Sequence, residues 1–310
     1  MNRREFLYAS VVAVGSLQRP AGPSGKLKID IYGRHLLWLK PADEVASAVK
    51  QMGYDGVDVN VRANGQGHVL PERVAQDLPP FVATIRKYGL EVSAITPSIT
   101  DADTPYTENI LRTASELGIR HYWWGTFRYA AGKPIMQQLD ELKPRVAKLA
   151  SLNKRYGMTA MYHTYAGNAV GTPIWDLLYV LKEFDPALVG FHYDLGHMTR
   201  EGANGLWATN LRAAGAYVRG VSVKDFIWVK GDDGRWRTEW VPLGEGLVQL
   251  DQFAAILKEI RFSGPIENQP EYPDGVGGET QIKIPPERVL AALKKDQEVL
   301  RKSLAGVGLV

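Results

Sequence analysis

From Lys26 to the end of the chain, strand-length apolar runs alternate with helix-length amphipathic stretches, giving eight strands and seven helices. KLKIDIY, GVDVNV, LEVSAI, IRHYWWG, MTAMYH, LVGFHYD, VRGVSVKD and PIENQPE read as strands. PADEVASAVKQMG, PERVAQDLPPFVATIRKYG, TPYTENILRTASELG, the stretch from Ile135 to Gly157, PIWDLLYVLKEF, LDQFAAILKEI and PPERVLAALKKDQEVLRKSL read as helices. Gly53 stops the first of them, and Thr104 is the candidate N-cap of the third, with Pro105 at its first position. Pro79, Pro80 and Pro144 are expected to kink or interrupt their helices. WVKGDDGRWRTEW reads as an inserted β-hairpin with DDG at its turn. Strand-then-helix repetition on this scale closes into a single-domain (β/α)8 barrel over residues 26–310. A doubly wound open sheet is the alternative, but it favours a GxGxxG turn after strand 1, where this chain has GRHLLWL.

Composition narrows the partners. The formal net charge is only +3 over 310 residues, and Lys and Arg are scattered, which gives nucleic-acid binding no support. With no Cys, disulfides, thiolate ligands and a Cys nucleophile are excluded. Residues 1–25 contain Arg3, Arg4, Phe6 and Leu7, then a short uncharged run and RPAGPSG. That resembles a twin-arginine export signal, so a periplasmic or exported location is expected. The run is too short to span a bilayer, and no stable membrane insertion is expected.

The strand ends of the C-terminal half carry the chemistry: YHTYAGN, YDLGHMTREG, VSVKDF, LGEG and ENQPEYP. In a barrel such ends converge on one face. His163, Asp194, His197 and Glu271 lie in them, two imidazoles and two carboxylates. That donor set suits Mn, Zn or Co better than Ca. The same histidines could instead only hydrogen-bond substrate. Alternation puts Ser222 and Lys224 on one face of strand 7 and Asp225 on the other. Lys224 is a candidate to stabilise an oxyanion or to pair with Glu271. Glu267, Gln269 and Glu271 share a face, with Glu267 deep and Glu271 at the mouth. Gln269, Glu245, Arg62 and His68 are candidate substrate contacts, as are Arg34, His35 and Thr96. His192 reads as a core histidine, His121 as packing. Trp123, Trp124 and Trp207 are either core or sugar-stacking rings.

In order, YDLGH, VKDF, PLGEG and EYP make residues 26 to 305 resemble the xylose-isomerase-like TIM-barrel superfamily, which includes sugar isomerases and epimerases and metal-dependent AP endonucleases. The resemblance implies a divalent metal held by Glu, Asp, His and Glu on strands 5 to 8. Here Asp194 matches the strand 6 Asp, while His163, Ser222 and Gln269 stand at the other three positions. It also implies a keto-sugar or glycoside as substrate and an enediolate pathway, and the expected export argues against a phosphorylated substrate. Glu271 and then His163 are the acid/base candidates, and Lys224 the third catalytic candidate. Because the first superfamily Glu is His163 here, elimination or hydration of a 3-keto-glycoside competes with epimerisation. A phosphodiesterase would need more His and a basic groove; a non-catalytic sugar-binding barrel is the reading from a different class.

Overall fold

A computed structural model describes residues 26–275 and 277–310; the expected export signal at 1–25 lies outside the described residues. Eight parallel strands close into a barrel: β1 (Ile29–Tyr32), β2 (Gly56–Val61), β3 (Ala94–Pro97), β4 (His121–Trp124), β5 (Thr159–His163), β6 (Val189–Asp194), β7 (Val218–Val223) and β10 (Ile266–Asn268). Each pairs with its sequence neighbours, and β10 pairs with both β7 and β1. Between β7 and β10 the chain makes the expected hairpin, β8 (Asp225–Lys230) antiparallel to β9 (Trp236–Val241). Around the barrel lie α1 (Ala42–Met52), α2 (Val74–Lys87), α3 (Thr107–Glu116), α4 (Ile135–Tyr156), α5 (Trp175–Leu181), α6 (Leu195–Ala214), α7 (Leu250–Glu259) and α8 (Pro286–Gly306).

Period-2 alternation splits each strand between two environments. On β2, Val57, Val59 and Val61 belong to the apolar core under the helices, while Asp58 and Asn60 alternate with them, fully buried. Phe191 and Tyr193 on β6 likewise join the core, and His192 and Asp194 take the alternate positions. An apolar side chain at such a place would add about 2 kcal/mol of burial, whereas a buried polar one needs partners. A barrel lined this way is shaped by its chemistry as much as by its stability.

Three local expectations are corrected. The longest is α6, a stretch in which the sequence pattern suggests no helix. Gly196, Gly202 and Gly205 dilute its helical signal, and the cap Asp194 starts it: Asp194 Oδ1 accepts from the His197 backbone N–H at 2.8 Å. A Cβ on Gly196 would stand 2.6 Å from Lys224 Cγ and 2.9 Å from its carbonyl oxygen, so only glycine lets α6 begin against the end of β7. Second, α2 and α4 run through Pro79, Pro80 and Pro144 without a break. Pro80 and Pro144 face outward, where water can serve the carbonyls they leave unbonded. Third, α3 starts at Thr107, after Tyr106 in the left-handed region. Thr104 caps the preceding turn instead, its Oγ1 accepting from the Thr100 and Asp101 N–H groups at 3.2 Å.

Candidate active site

The C-terminal ends of β5, β6, β7 and β10 bring four polar side chains to one point. His163 closes β5 and Asp194 closes β6; Lys224 follows β7, and Glu271 lies three residues past β10. His163 Nε2 lies 3.6 Å from Asp194 Oδ2, and His197 Nε2, one turn into α6, lies 3.9 Å from the same atom. One donor atom from each of these three residues falls within 4.8 Å of the others. Asp194 Oδ2 is buried and, among the described residues, accepts no hydrogen bond of good geometry. Two imidazoles and an under-used carboxylate oxygen at these separations fit a divalent transition ion.

Glu271 stands outside this trio. Its Oε1 accepts from Lys224 Nζ at 2.7 Å, and a third of its side chain is open to solvent. The Lys224 ammonium also sits 3.1 Å from Asp194 Oδ2 and 3.0 Å from His197 Nε2, over the Trp240 ring at 4.7 Å. His197 Nε2 cannot both accept from Lys224 and ligate an ion, whereas His197 Nδ1 is buried without a hydrogen-bond partner among the described residues.

Electrostatics follow from burial. For Asp194, desolvation favours the neutral acid, but His197, Lys224, His163 and the His197 N–H outweigh it and hold the carboxyl well below its ordinary range. Burial likewise works against a charged Lys224, yet Asp194 and Glu271 raise it above the ordinary lysine value. Desolvation keeps the imidazoles neutral: His192 and His197 are pushed down to about 4, and His163 well below its usual value. Neutral imidazole is the ligand form.

Behind His163 runs a chain of buried groups. His163 Nδ1 is 3.0 Å from His192 Nδ1, and His192 Nε2 is 3.4 Å from Glu267 Oε2. A lone pair on His163 Nε2 places a proton on Nδ1, donated to His192, whose own hydrogen then lies on Nε2, close to Glu267 but without hydrogen-bond geometry. Glu267 also accepts from Trp123 Nε1 at 3.2 Å and faces the carboxyl of Asp58. Burial pushes Glu267 up to about 7 and Asp58 well above its usual range, so the two carboxyls hold a proton between them. His192 thus links the cluster to the barrel floor as well as filling the core.

The other expected contacts lie as follows. Gln269 is buried, its Nε2 3.4 Å from Glu267 Oε2. Arg62 Nε donates to the Thr96 carbonyl at 3.2 Å. His68 turns to the Leu36 carbonyl at 3.2 Å and packs on Phe81, anchoring its loop. Glu245 is drawn outward to Lys295 of α8 at 2.6 Å. Trp123 stacks between His163 at 4.2 Å and Tyr32 at 4.8 Å, forming the wall below the cluster; Trp124 and Trp207 belong to the outer core. Sequence reasoning missed Tyr32 and Tyr165. The Tyr165 ring lies 4.6 Å from His163 and 5.5 Å from His197. Its place two residues after His163 in YHTYAGN was the available signal. A cleft of about 530 Å³ lined by Ala187, Val218, Arg219 and Phe262 lies at the opposite end of the strands, away from this chemistry.

Residues 46–302 match the family described as xylose isomerase-like TIM barrel, and the chain belongs to that family. A search of curated proteins found no match. Among solved structures the chain is similar to an IolI protein with a bound zinc atom (TM-score 0.68, 14% identity, 90% of this chain and 99% of that one). It is also similar to a D-psicose 3-epimerase with D-tagatose from Clostridium cellulolyticum H10 (0.64, 13%, 90% and 99%). A third is a 3-keto-D-glucoside 4-epimerase from E. coli in its apo form (0.62, 16%, 88% and 100%). At these identities the likeness is one of fold. No helix among the described residues is long and apolar enough to cross a membrane.

Proposed function

We propose that this barrel is a divalent-metal-dependent enzyme that removes the proton beside the carbonyl of a neutral keto-sugar or keto-glycoside. The observation that carries the reading is the convergence of His163, Asp194 and His197 next to the Lys224–Glu271 pair at the barrel mouth. His163, Asp194 and His197 would hold the ion, and Mn, Zn or Co suits them. When bound, the ion would polarise the carbonyl and lower the cost of deprotonation.

The remaining work falls to the chain's own side chains. Glu271, the carboxylate open at the mouth, takes the proton. Lys224, kept charged by its two carboxylates, donates to the oxygen that becomes negative. His163 is buried and committed to His192, so it is poorly placed to act as a second base on the opposite face of the sugar. One carboxylate on one face suits isomerisation, or elimination of a β-substituent from a 3-keto-glycoside, better than two-base epimerisation. Neutral substrate agrees with the expected export signal, which keeps the location periplasmic or exported in this reading.

The test is exchange of the proton next to the carbonyl in deuterated water, followed by NMR with D-fructose and with a methyl 3-keto-glucoside, in turn with Mn, Zn and Co. The wild type is expected to exchange it, and Glu271→Gln to slow exchange about 100-fold or more while still binding the ion. Undiminished exchange in the variant, or none in the wild type with any ion, sinks the mechanism.

A further inference from the structure

The β8–β9 ribbon carries an arrangement that the cluster's chemistry does not use. Cross-strand pairing sets Phe226 opposite Trp240, Trp228 opposite Thr238 and Lys230 opposite Trp236. In an antiparallel ladder these six side chains share one face. Ile227 and Val229 lie on the other face and are partly covered. Two of the three tryptophans on this face are left to solvent: Trp228 is 43% exposed and Trp236 64%. Burial alone would arrange the reverse, since the aromatic rings have more apolar area to hide.

The aromatic face is continuous with the site. The Trp240 ring lies 5.7 Å from the His197 ring, Phe226 lies 6.0 Å from Trp240, and Trp228 lies 5.8 Å from Phe226. From Trp240 to Trp236 is four residues, about 13 Å of strand. The ribbon is also held firmly. At its base Asp225 accepts the backbone N–H groups of Phe226 and Val248 on Oδ1 and those of Gly244 and Gly246 on Oδ2. At its tip Gly231 N donates to the Arg235 carbonyl and Gly234 N to the Gly231 carbonyl.

We propose that this face is a subsite for a second sugar ring, so that the substrate is a glycoside whose reacting ring lies over the cluster and whose neighbouring pyranose stacks on Trp240 and Trp228, with Trp236 beyond. An occupant leaving the cluster along the ribbon meets Trp240 first. The C–H face of a pyranose matches an indole ring, and Thr238 and Lys230 stand beside the rings for its hydroxyls. The proposal rests on the keto-sugar reading of the cluster, and its test is separable from that reading.

The experiment uses the full chain and two matched probes, cellobiose and glucose. Binding is followed by tryptophan fluorescence and by saturation-transfer NMR. Cellobiose is expected to bind more tightly than glucose. Trp228→Ala and Trp236→Ala should each weaken cellobiose about 3- to 10-fold and leave glucose unchanged, with unaltered circular dichroism. Trp228→Phe should retain part of the affinity. Equal binding of cellobiose by wild type and both alanine variants overturns the proposal, as does absence of cellobiose binding. So does a wild-type dimer that both variants dissociate in size-exclusion chromatography, which would make the face a contact between copies. Should exchange chemistry fail while the tryptophan-dependent cellobiose preference holds, the reaction assignment falls and the subsite stands.

Discussion

At the scale of single residues, the acid–base character of the barrel is set by which groups are denied water. Glu267 makes this measurable. Its carboxyl titrates near 7 in the folded chain against 4.5 ordinarily, so the folded state keeps a proton that the unfolded state releases. Stability from this group is complete below pH 4.5 and is lost as pH rises toward 7, by about 3 kcal/mol. Glu267→Gln, of the same shape and never charged, is expected to flatten that slope in urea titrations at pH 4.5 and 7. An unchanged slope would move the protonation elsewhere in the barrel. The alternation of IENQPEYP already shows that Glu267 points inward. Its proton does not follow from the sequence, because burial inside the closed barrel raises this carboxyl against the opposing hydrogen bonds of Trp123, Asp58 and Gln269.

At the scale of elements, the hairpin and the LGEG loop behave as one unit organised by Asp225. Alternation along VSVKDF separates Asp225 from Lys224, but not the four N–H donors it gathers from its own strand and the loop 19 to 23 residues later. LGEG therefore looks like a loop presenting Glu245, whereas Gly246 is there for the contact: a Cβ on it would lie 2.3 Å from Asp225 Oδ1. Asp225→Ala is expected to cost about 2–4 kcal/mol, since several buried N–H groups lose a charged acceptor together. Gly246→Ala should act in the same direction. Both would be read by denaturant unfolding and by faster amide exchange along the two hairpin strands. Loss confined to Glu245 or Lys295 would argue against this arrangement. Strands and most helices were legible because their periodicity is local. Helix α6 was hidden by three glycines, of which Gly196 is required by its approach to Lys224 at the end of β7, a contact local pattern does not encode.

For the whole molecule, the donors of the candidate metal site come from β5, β6 and the start of α6, so an ion held there adds a further tie between neighbouring strands already joined by backbone pairing. At about 100 times its Kd, such an ion adds about 2.7 kcal/mol to the folded state, and Tm should rise by about 4 °C for a chain of this size. Calorimetry with Zn, Mn and Co against a chelator-treated control checks this, and His163→Gln should remove most of the gain. The same rise in the variant would place the ion elsewhere. Identification of the barrel from its sequence succeeded at this scale, because eight strands with helices between most of them leave little choice of topology. The pairing of Glu271 with Lys224, 47 positions apart, depends on closure of that barrel. Asp194 carries the same coupling into evolutionary terms. One oxygen of its carboxylate starts α6, and the other faces His163 and His197. A lineage that abandoned the chemistry would still need Asp194 to begin its helix, so the two histidines would be free to drift long before the aspartate, and a decaying relative should be recognisable by their loss.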